Sequence, residues 1–155
     1  MLRITIIAVG KLKERYWRDA QGEYLKRLRP YANVEVIEVA DAPDHLGIET
    51  ALQREQEAIG KVLPADCLVI VLDVEGAAHP SDQSARWLEE TMAAGTSHLT
   101  YIIGGSNGVS DEVRACADAL LSFGPITLPH NLARIVLLEQ VYRAFKILRG
   151  EPYHK

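Results

Sequence analysis

Three short stretches of this chain combine residue types suited to holding a ligand or moving a proton. In the first, Ile102-Ile103-Gly104-Gly105-Ser106-Asn107-Gly108, an apolar segment runs into a glycine-rich turn. Glycine admits positive φ and lets backbone amides approach a ligand with no Cβ in the way. The spacing is neither GxGxxG nor GxxxxGKS/T, so the bare pattern fits a ligand loop and a plain tight turn equally well. The second stretch, Phe123-Gly124-Pro125-Ile126-Thr127-Leu128-Pro129-His130, leads into the final helix, where His130 either meets a ligand or merely caps and packs beside Pro129. The third is the tail Glu151-Pro152-Tyr153-His154-Lys155, which places an aromatic ring, an imidazole, a cation and a carboxylate together. Imidazole titrates near neutrality, and tyrosine can stack on a base or hydrogen-bond to it. Tails this short are commonly frayed, yet one that continues a buried helix can be held at a site.

The elements that must position these stretches follow from hydrophobic periodicity. Apolar, β-branched runs at Leu2 to Val9, Val34 to Val39, Cys67 to Leu72 and Leu99 to Ile103 predict four strands. Amphipathic stretches at Glu14 to Leu28, Ile48 to Val62 and Ser81 to Ala94 predict the helices between them, with Asp41 to Gly47 as a loop. A further helix from Ser110 to Ala119, an extended piece from Leu121 to Leu128 and a long helix from Asn131 to Arg149 complete the chain. Such βα alternation implies an α/β fold with a mainly parallel sheet covered by helices on both faces, in one domain over residues 1 to 155. Ligands of open parallel sheets bind outside the carboxyl ends of the strands. That rule selects the glycine turn, the segment Phe123 to His130 and the stretch Leu72-Asp73-Val74-Glu75-Gly76. The last helix carries apolar residues on more than one face, which calls for a second packing partner such as a sister subunit, or for a central place in the monomer.

Composition sets the outer bounds. The chain has 155 residues, 48% hydrophobic and 25% charged, with no run approaching the roughly 20 apolar residues of a membrane span, and reads as a soluble cytoplasmic protein. Cys67 and Cys116 lack CxxC spacing and predict reduced, buried thiols, with neither a disulfide nor a metal site. Net charge is −4, but residues 1 to 30 carry eight Lys or Arg against three acids, residues 131 to 155 five against two, and the hundred between them four against sixteen. A fold that gathers both ends on one face would make a positive patch, whereas scattered ends would be ordinary solvated helix faces.

Five ordered motifs together resemble one family. They are Ile-Ala-Val-Gly-Lys-Leu-Lys at Ile7 to Lys13, Ile-Gly-Gly-Ser-Asn-Gly at Ile103 to Gly108, Thr-Leu-Pro-His at Thr127 to His130, Glu-Gln-Val-Tyr-Arg-Ala at Glu139 to Ala144, and the closing Pro-Tyr-His-Lys. The chain is similar in these to the ribosomal RNA large subunit methyltransferase H family of the SPOUT superfamily, from the first strand to the last residue. The resemblance implies a SPOUT α/β fold with a C-terminal trefoil knot, one of the few exceptions to unknotted connectivity. It implies N3 methylation of a pseudouridine in 23S ribosomal RNA on the assembled ribosome, with S-adenosyl-L-methionine as donor, by a homodimer in which one subunit's tail lies near the other's cofactor. Carried over by motif, the cofactor would be held by Leu72, Gly104, Gly105, Phe123, Gly124, Pro125, Ile126, Thr127 and Leu128. His154 and Tyr153 would be catalytic, the imidazole placing the base or taking its proton. Arg15, Arg18, Lys26, Arg27, Arg143 and Lys155 would contact RNA. The tail departs from some relatives in ending with Lys155, a point charge rather than an arginine fork, and in having Glu151 where others have histidine. Two rival readings are a SPOUT enzyme with another RNA target and a non-catalytic ribosome-associated module. A dinucleotide-dependent oxidoreductase is disfavoured, because no GxGxxG follows the first strand.

Overall fold

The structure, a computed structural model, describes residues 1–153. Its elements run β1 (Leu2–Val9), α1 (Arg15–Leu28), β2 (Ala32–Val39), α2 (Ile48–Val62), β3 (Leu68–Ala77), α3 (Ser81–Ala93), β4 (His98–Ile103), α4 (Asp111–Ala115), β5 (Ala119–Leu121) and α5 (His130–Leu148). All pairings in the sheet are parallel, in the order β2-β1-β4-β3-β5.

Strands buried on both faces read as continuous apolar runs rather than alternating ones, which is the pattern of β1 and β4. Alternate residues serve two cores. Ile4, Ile6 and Ala8 of β1 join Leu99, Tyr101 and Ile103 of β4 in packing against α1, α3 and α5. Ile7 and Val9 join Val69, Val71 and Ile102 in packing under α2 and α4, with Ile59 and Val113 as the helix contacts.

The broad apolar stripe of α5 is explained by its place: it packs against both α1 and α3, and no residue from 131 to 148 is fully exposed. Leu137, Leu138, Val141, Ala144 and Phe145 are buried, while Leu132, Ile135, Val136 and Ile147 remain half-covered. A helix with neighbours on both flanks needs apolar residues on more than one face, and a central position in the monomer supplies most of them.

Two elements and the burial of the thiols differ from the sequence expectation. The helix expected at Ser110 to Ala119 stops at Ala115, because Asp118 turns the chain into the sheet: its backbone N–H donates to the Val69 carbonyl and its carboxylate accepts from the Val69 N–H, each at 2.8 Å. The extended piece expected at Leu121 to Leu128 is a strand only over Ala119–Leu121, and residues 122–129 are a loop. The two thiols are free but not buried, since Cys67 is half-buried and Cys116 is exposed just past the end of α4. Periodicity assigned Cys116 to a helix that ends one residue before it.

Candidate functional site

The carboxyl ends of β3, β4 and β5 lie side by side, and each sends out an irregular segment. In β3, Leu72 and Ala77 both pair with Leu121, so residues 73–76 leave the ladder as a bulge before the strand resumes. Gly76 closes the bulge against β5, where a Cβ would come within 2.7 Å of the Leu120 and Leu121 backbone. Asp73 pins the bulge from inside, accepting from the Glu75 amide at 2.9 Å and from Arg114 Nε of α4 at 2.7 Å. Burial pushes the Asp73 carboxyl up, but the Glu75 amide and the Arg114 guanidinium outweigh it and hold it below the ordinary value.

The glycine turn after β4 is closed on itself. The Gly108 amide donates to the Gly105 carbonyl at 3.0 Å, and Gly108 has φ of 74°. A Cβ on Gly104 would lie 2.6 Å from the Gly108 carbonyl carbon, so only glycine lets the two ends of the turn meet. Gly105 sits against Val9 of β1 and the buried Glu55 of α2, which itself accepts from the Ala42 amide at 2.9 Å. Ser110 caps α4 and donates to Gln56 at 2.8 Å, tying the far side of the turn to the same helix. The structural demand on these glycines is therefore met within the turn.

The third segment spans the other two. It leaves β5 at the edge of the sheet, where the Ser122 amide donates to the Ala77 carbonyl at 3.0 Å, and ends at His130, whose ring packs on Gly10 just beyond β1. Residues 122–129 must therefore cross the ends of β3 and β4, a width of about 14 Å at the usual strand spacing. Gly124 takes φ of 101° and exchanges hydrogen bonds with the Ser122 hydroxyl. Among the described residues, the backbone amides of Phe123, Ile126, Thr127 and Leu128 donate to nothing, and Pro125, Ile126 and Thr127 are exposed. Buried or ligand-facing backbone requires partners, so this open run of N–H and C=O groups, stretched over a glycine turn and a bulge, is suited to a ligand with many acceptors and donors.

The two basic ends of the chain meet, because α1 and α5 pack side by side. Arg27 pairs with Glu23 at 2.8 Å and stands 5.9 Å from the Tyr142 ring. Arg143 pairs with Glu139 and stands 4.7 Å above the Tyr153 ring. The tail folds back along α5: the Tyr31 hydroxyl donates to Glu151 at 2.6 Å, and Tyr153 packs 4.9 Å from Tyr142 and donates to Glu139 at 3.1 Å. Burial, reinforced by the Glu139 carboxylate, pushes the Tyr153 hydroxyl up to about 12. At the other end of α1, Arg15 faces Asp19 at 3.6 Å and Arg18 donates to the Leu12 carbonyl at 3.1 Å. Lys26 is exposed in the last turn of α1. His154 and Lys155 lie outside the described residues.

A separate cavity of about 290 Å³ opens between α3, α5 and β5, lined by His79, Ser84, Tyr101, Phe123, Gln140 and mostly apolar neighbours. Of the residues expected to hold the cofactor only Phe123 reaches it, so the expected cofactor site and this cavity are distinct but adjoining. No group of three or more His, Cys, Asp or Glu among the described residues could hold a metal ion, and no described helix is long and apolar enough to cross a membrane.

A family model described as "Predicted SPOUT methyltransferase" matches residues 2–154. The chain belongs to the SPOUT methyltransferases. Within that family it is 51% identical to the ribosomal RNA large subunit methyltransferase H of Carboxydothermus hydrogenoformans, over 99% of this chain and 100% of the relative. It is 48% identical, with the same coverage, to the protein of the same name from Acetivibrio thermocellus. A solved structure of a probable methylase family protein from Haemophilus influenzae Rd KW20 superposes with a TM-score of 0.54 at 15% identity, over 95% of this chain and 66% of that one, which bears on the fold alone. SPOUT methyltransferases use S-adenosylmethionine, so the open segments above are weighed for that ligand. They fit it: a turn that only glycine can close, a bulge held off the ladder, and a crossing strip of unpaired backbone supply hydrogen-bonding groups at close range.

Sequence reasoning missed what holds these segments in place. Arg134, with no exposed surface, donates to Glu38 at 2.7 Å, to Gln21 at 3.2 Å and to the Gly10 carbonyl at 3.1 Å, locking the first turn of α5 to β1, β2 and α1. Burial pushes the Glu38 carboxyl up, but Arg134 and the Leu12 amide outweigh it and hold it low. Its one signal in the sequence is an arginine set directly among Leu132, Ile135 and Val136. Arg114 was missed as well, because its partner Asp73 is 41 residues away.

Proposed function

We propose that this chain transfers the methyl group of S-adenosylmethionine to N3 of a pseudouridine in 23S ribosomal RNA, acting on the assembled ribosome as a cytoplasmic homodimer of one SPOUT domain. The name and full-length similarity of the two relatives support ribosomal RNA of the large subunit as substrate. The observation that carries the reading is the set of unpaired amides at Phe123, Ile126, Thr127 and Leu128 in the segment that runs from β5 at the sheet edge to His130 beside Gly10. The threading of the C-terminal segment as a trefoil knot, implied by the motifs, belongs to the same proposal.

Bound S-adenosylmethionine supplies an electrophilic methyl group on sulfur. The work of this chain is to hold two reactants in line, and positioning of that kind accounts for much of the barrier lowering open to it. Leu72, Gly104, Gly105 and residues 123–128 hold the cofactor. Tyr153 packs against or hydrogen-bonds the base, while His154 places it and is available to accept the N3 proton. Arg15, Arg18, Lys26, Arg27, Arg143 and Lys155 contact RNA phosphates, which makes binding salt-sensitive.

A dimer is favoured by where the tail lies. Tyr153 is anchored at Glu139, nine residues or about 14 Å along α5 from the cofactor segment of its own chain. A tail held that far from its own loops is better placed to serve a second subunit, whose contact would cover Leu132, Ile135 and Val136.

The test is transfer of labelled methyl to purified ribosomes lacking the modification, with free 23S RNA and ribosomes carrying unmodified uridine in parallel. Label at pseudouridine N3 on ribosomes is expected. Label only on another RNA would keep the fold and cofactor and overturn the target; cofactor binding without any transfer would favour a non-catalytic module.

A further inference from the structure

His130 has no assigned task in the reading above, yet its seat is built with care. The ring rests on Gly10, where a Cβ would lie 3.2 Å from Cε1, and Gly10 has φ of 96°, so both contact and conformation call for glycine there. Gly10 is fixed in turn: its N–H donates to the Val39 carbonyl at 2.8 Å and its carbonyl accepts from Arg134 at 3.1 Å. Arg134 lies one helical turn beyond His130, so its pair with the partly exposed Glu38 and its bond to the Gly10 carbonyl fix the very turn that carries the imidazole.

Within this seat, Nδ1 is closed off from solvent and has no hydrogen-bond partner. A hydrogen placed there would be a buried donor with nothing to bond, so the ring's usable donor is Nε2–H. Nε2 is not among the buried unpaired atoms, and no described residue bonds to it. The ring thus presents one N–H outward from a rigid mount.

The mount stands where the cofactor segment ends and the β1–α1 loop, with Lys11 and Lys13, leads into Arg15 and Arg18 of α1. Those cations suit phosphates. A single outward N–H beside a guanidinium already paired with Glu38 suits an oxygen acceptor, and N3 of a uracil-type ring lies between two carbonyl oxygens.

We propose that His130 Nε2–H donates a hydrogen bond to a base carbonyl of the acceptor nucleotide, fixing N3 in line with the methyl group. Donation to that carbonyl also draws charge from the ring and eases loss of the N3 proton. The inference rests on the methyl-transfer reading given above.

The test compares His130→Ala, His130→Gln and His130→Asn in methyl transfer to unmodified ribosomes, in S-adenosylmethionine binding by calorimetry and in thermal unfolding. Glutamine carries its NH2 to the place of Nε2, and asparagine falls short of it. His130→Ala should lower kcat about 100-fold or more, the scale of losing one well-placed donor, with cofactor affinity within about twofold. His130→Gln should recover to within about fivefold of the unaltered chain, and His130→Asn should not. Unchanged kcat in His130→Ala, a loss of cofactor affinity matching the loss of rate, or a glutamine variant no better than alanine would each overturn the proposal. No transfer by the unaltered chain would remove the underlying reading and this inference with it, whereas full transfer by His130→Ala removes the inference alone.

Discussion

Strands β1 and β2 pair without interruption over eight positions, from Leu2 opposite Ala32 to Val9 opposite Val39, whereas β3 and β5 pair over three and then skip from Leu72 to Ala77 against the same residue, Leu121. The first half of the sheet uses its backbone groups within the ladder and ends in the Gly10–Arg134–Glu38 clamp. The second half holds its bulge with one charge pair and leaves the crossing segment's amides open. A binding site needs unpaired backbone, and unpaired backbone costs stability, so the regular half must carry the fold while the irregular half is left free for a ligand. The first turn of α5 joins the two, since the crossing segment ends where the clamp begins.

Breaking the clamp should have the largest effect on stability. Arg134→Ala removes a fully buried side chain and leaves the Gly10 carbonyl without its partner, and should cost about 3 kcal/mol, with Glu38, whose side chain keeps 34% exposure, free to turn to water. Denaturant unfolding would measure it, and a loss below about 1 kcal/mol would mean the clamp is not what holds the regular half. On the irregular side, Gly104→Ala should spare the fold but force the turn open against Gly108, weakening S-adenosylmethionine binding about tenfold or more. Calorimetry that found cofactor affinity intact would move the site away from the glycine turn.

Arg114→Ala frees the bulge at 73–76 and should raise the cofactor Kd a few-fold, with about 1 kcal/mol lost in stability, since the arginine is one-third exposed while Asp73 is buried. The smallest effect is a pH dependence at the opposite end of the sheet. His98 lies 2.9 Å from Thr5 Oγ1, and burial, helped by the Arg3 charge, pulls its imidazole below the ordinary 6.5. The unfolded chain then takes up the proton first, so this contribution is complete above about pH 6.5 and declines as pH falls below it. Urea unfolding between pH 7 and pH 5 should show that decline, and His98→Gln should flatten it.

The sequence makes the regular half legible and leaves the irregular half obscure for the same physical reason. Leu2–Val9 and Ile48–Val62 were read to the residue because period and flanking turns agree with the elements formed. The β3 bulge and the three residues of β5 obey no period: Asp73 and Asp118 place them through partners far away in the chain. The glycines at 104, 105 and 108 could be located but not interpreted, since the decisive fact, that a Cβ at 104 would strike the Gly108 backbone, exists only once the turn is folded. The clamp was hidden because the partners of Arg134, Glu38 and Gly10, lie 96 and 124 residues away in the chain.

The most direct measurement is amide hydrogen exchange of the whole chain with and without S-adenosylmethionine. We expect new protection at residues 72–77, 104–108 and 122–129 and no change along β1 and β2. Protection confined to the cavity lined by Tyr101, Gln140 and His79, with residues 122–129 unchanged, would contradict the assignment of the crossing segment as the cofactor site.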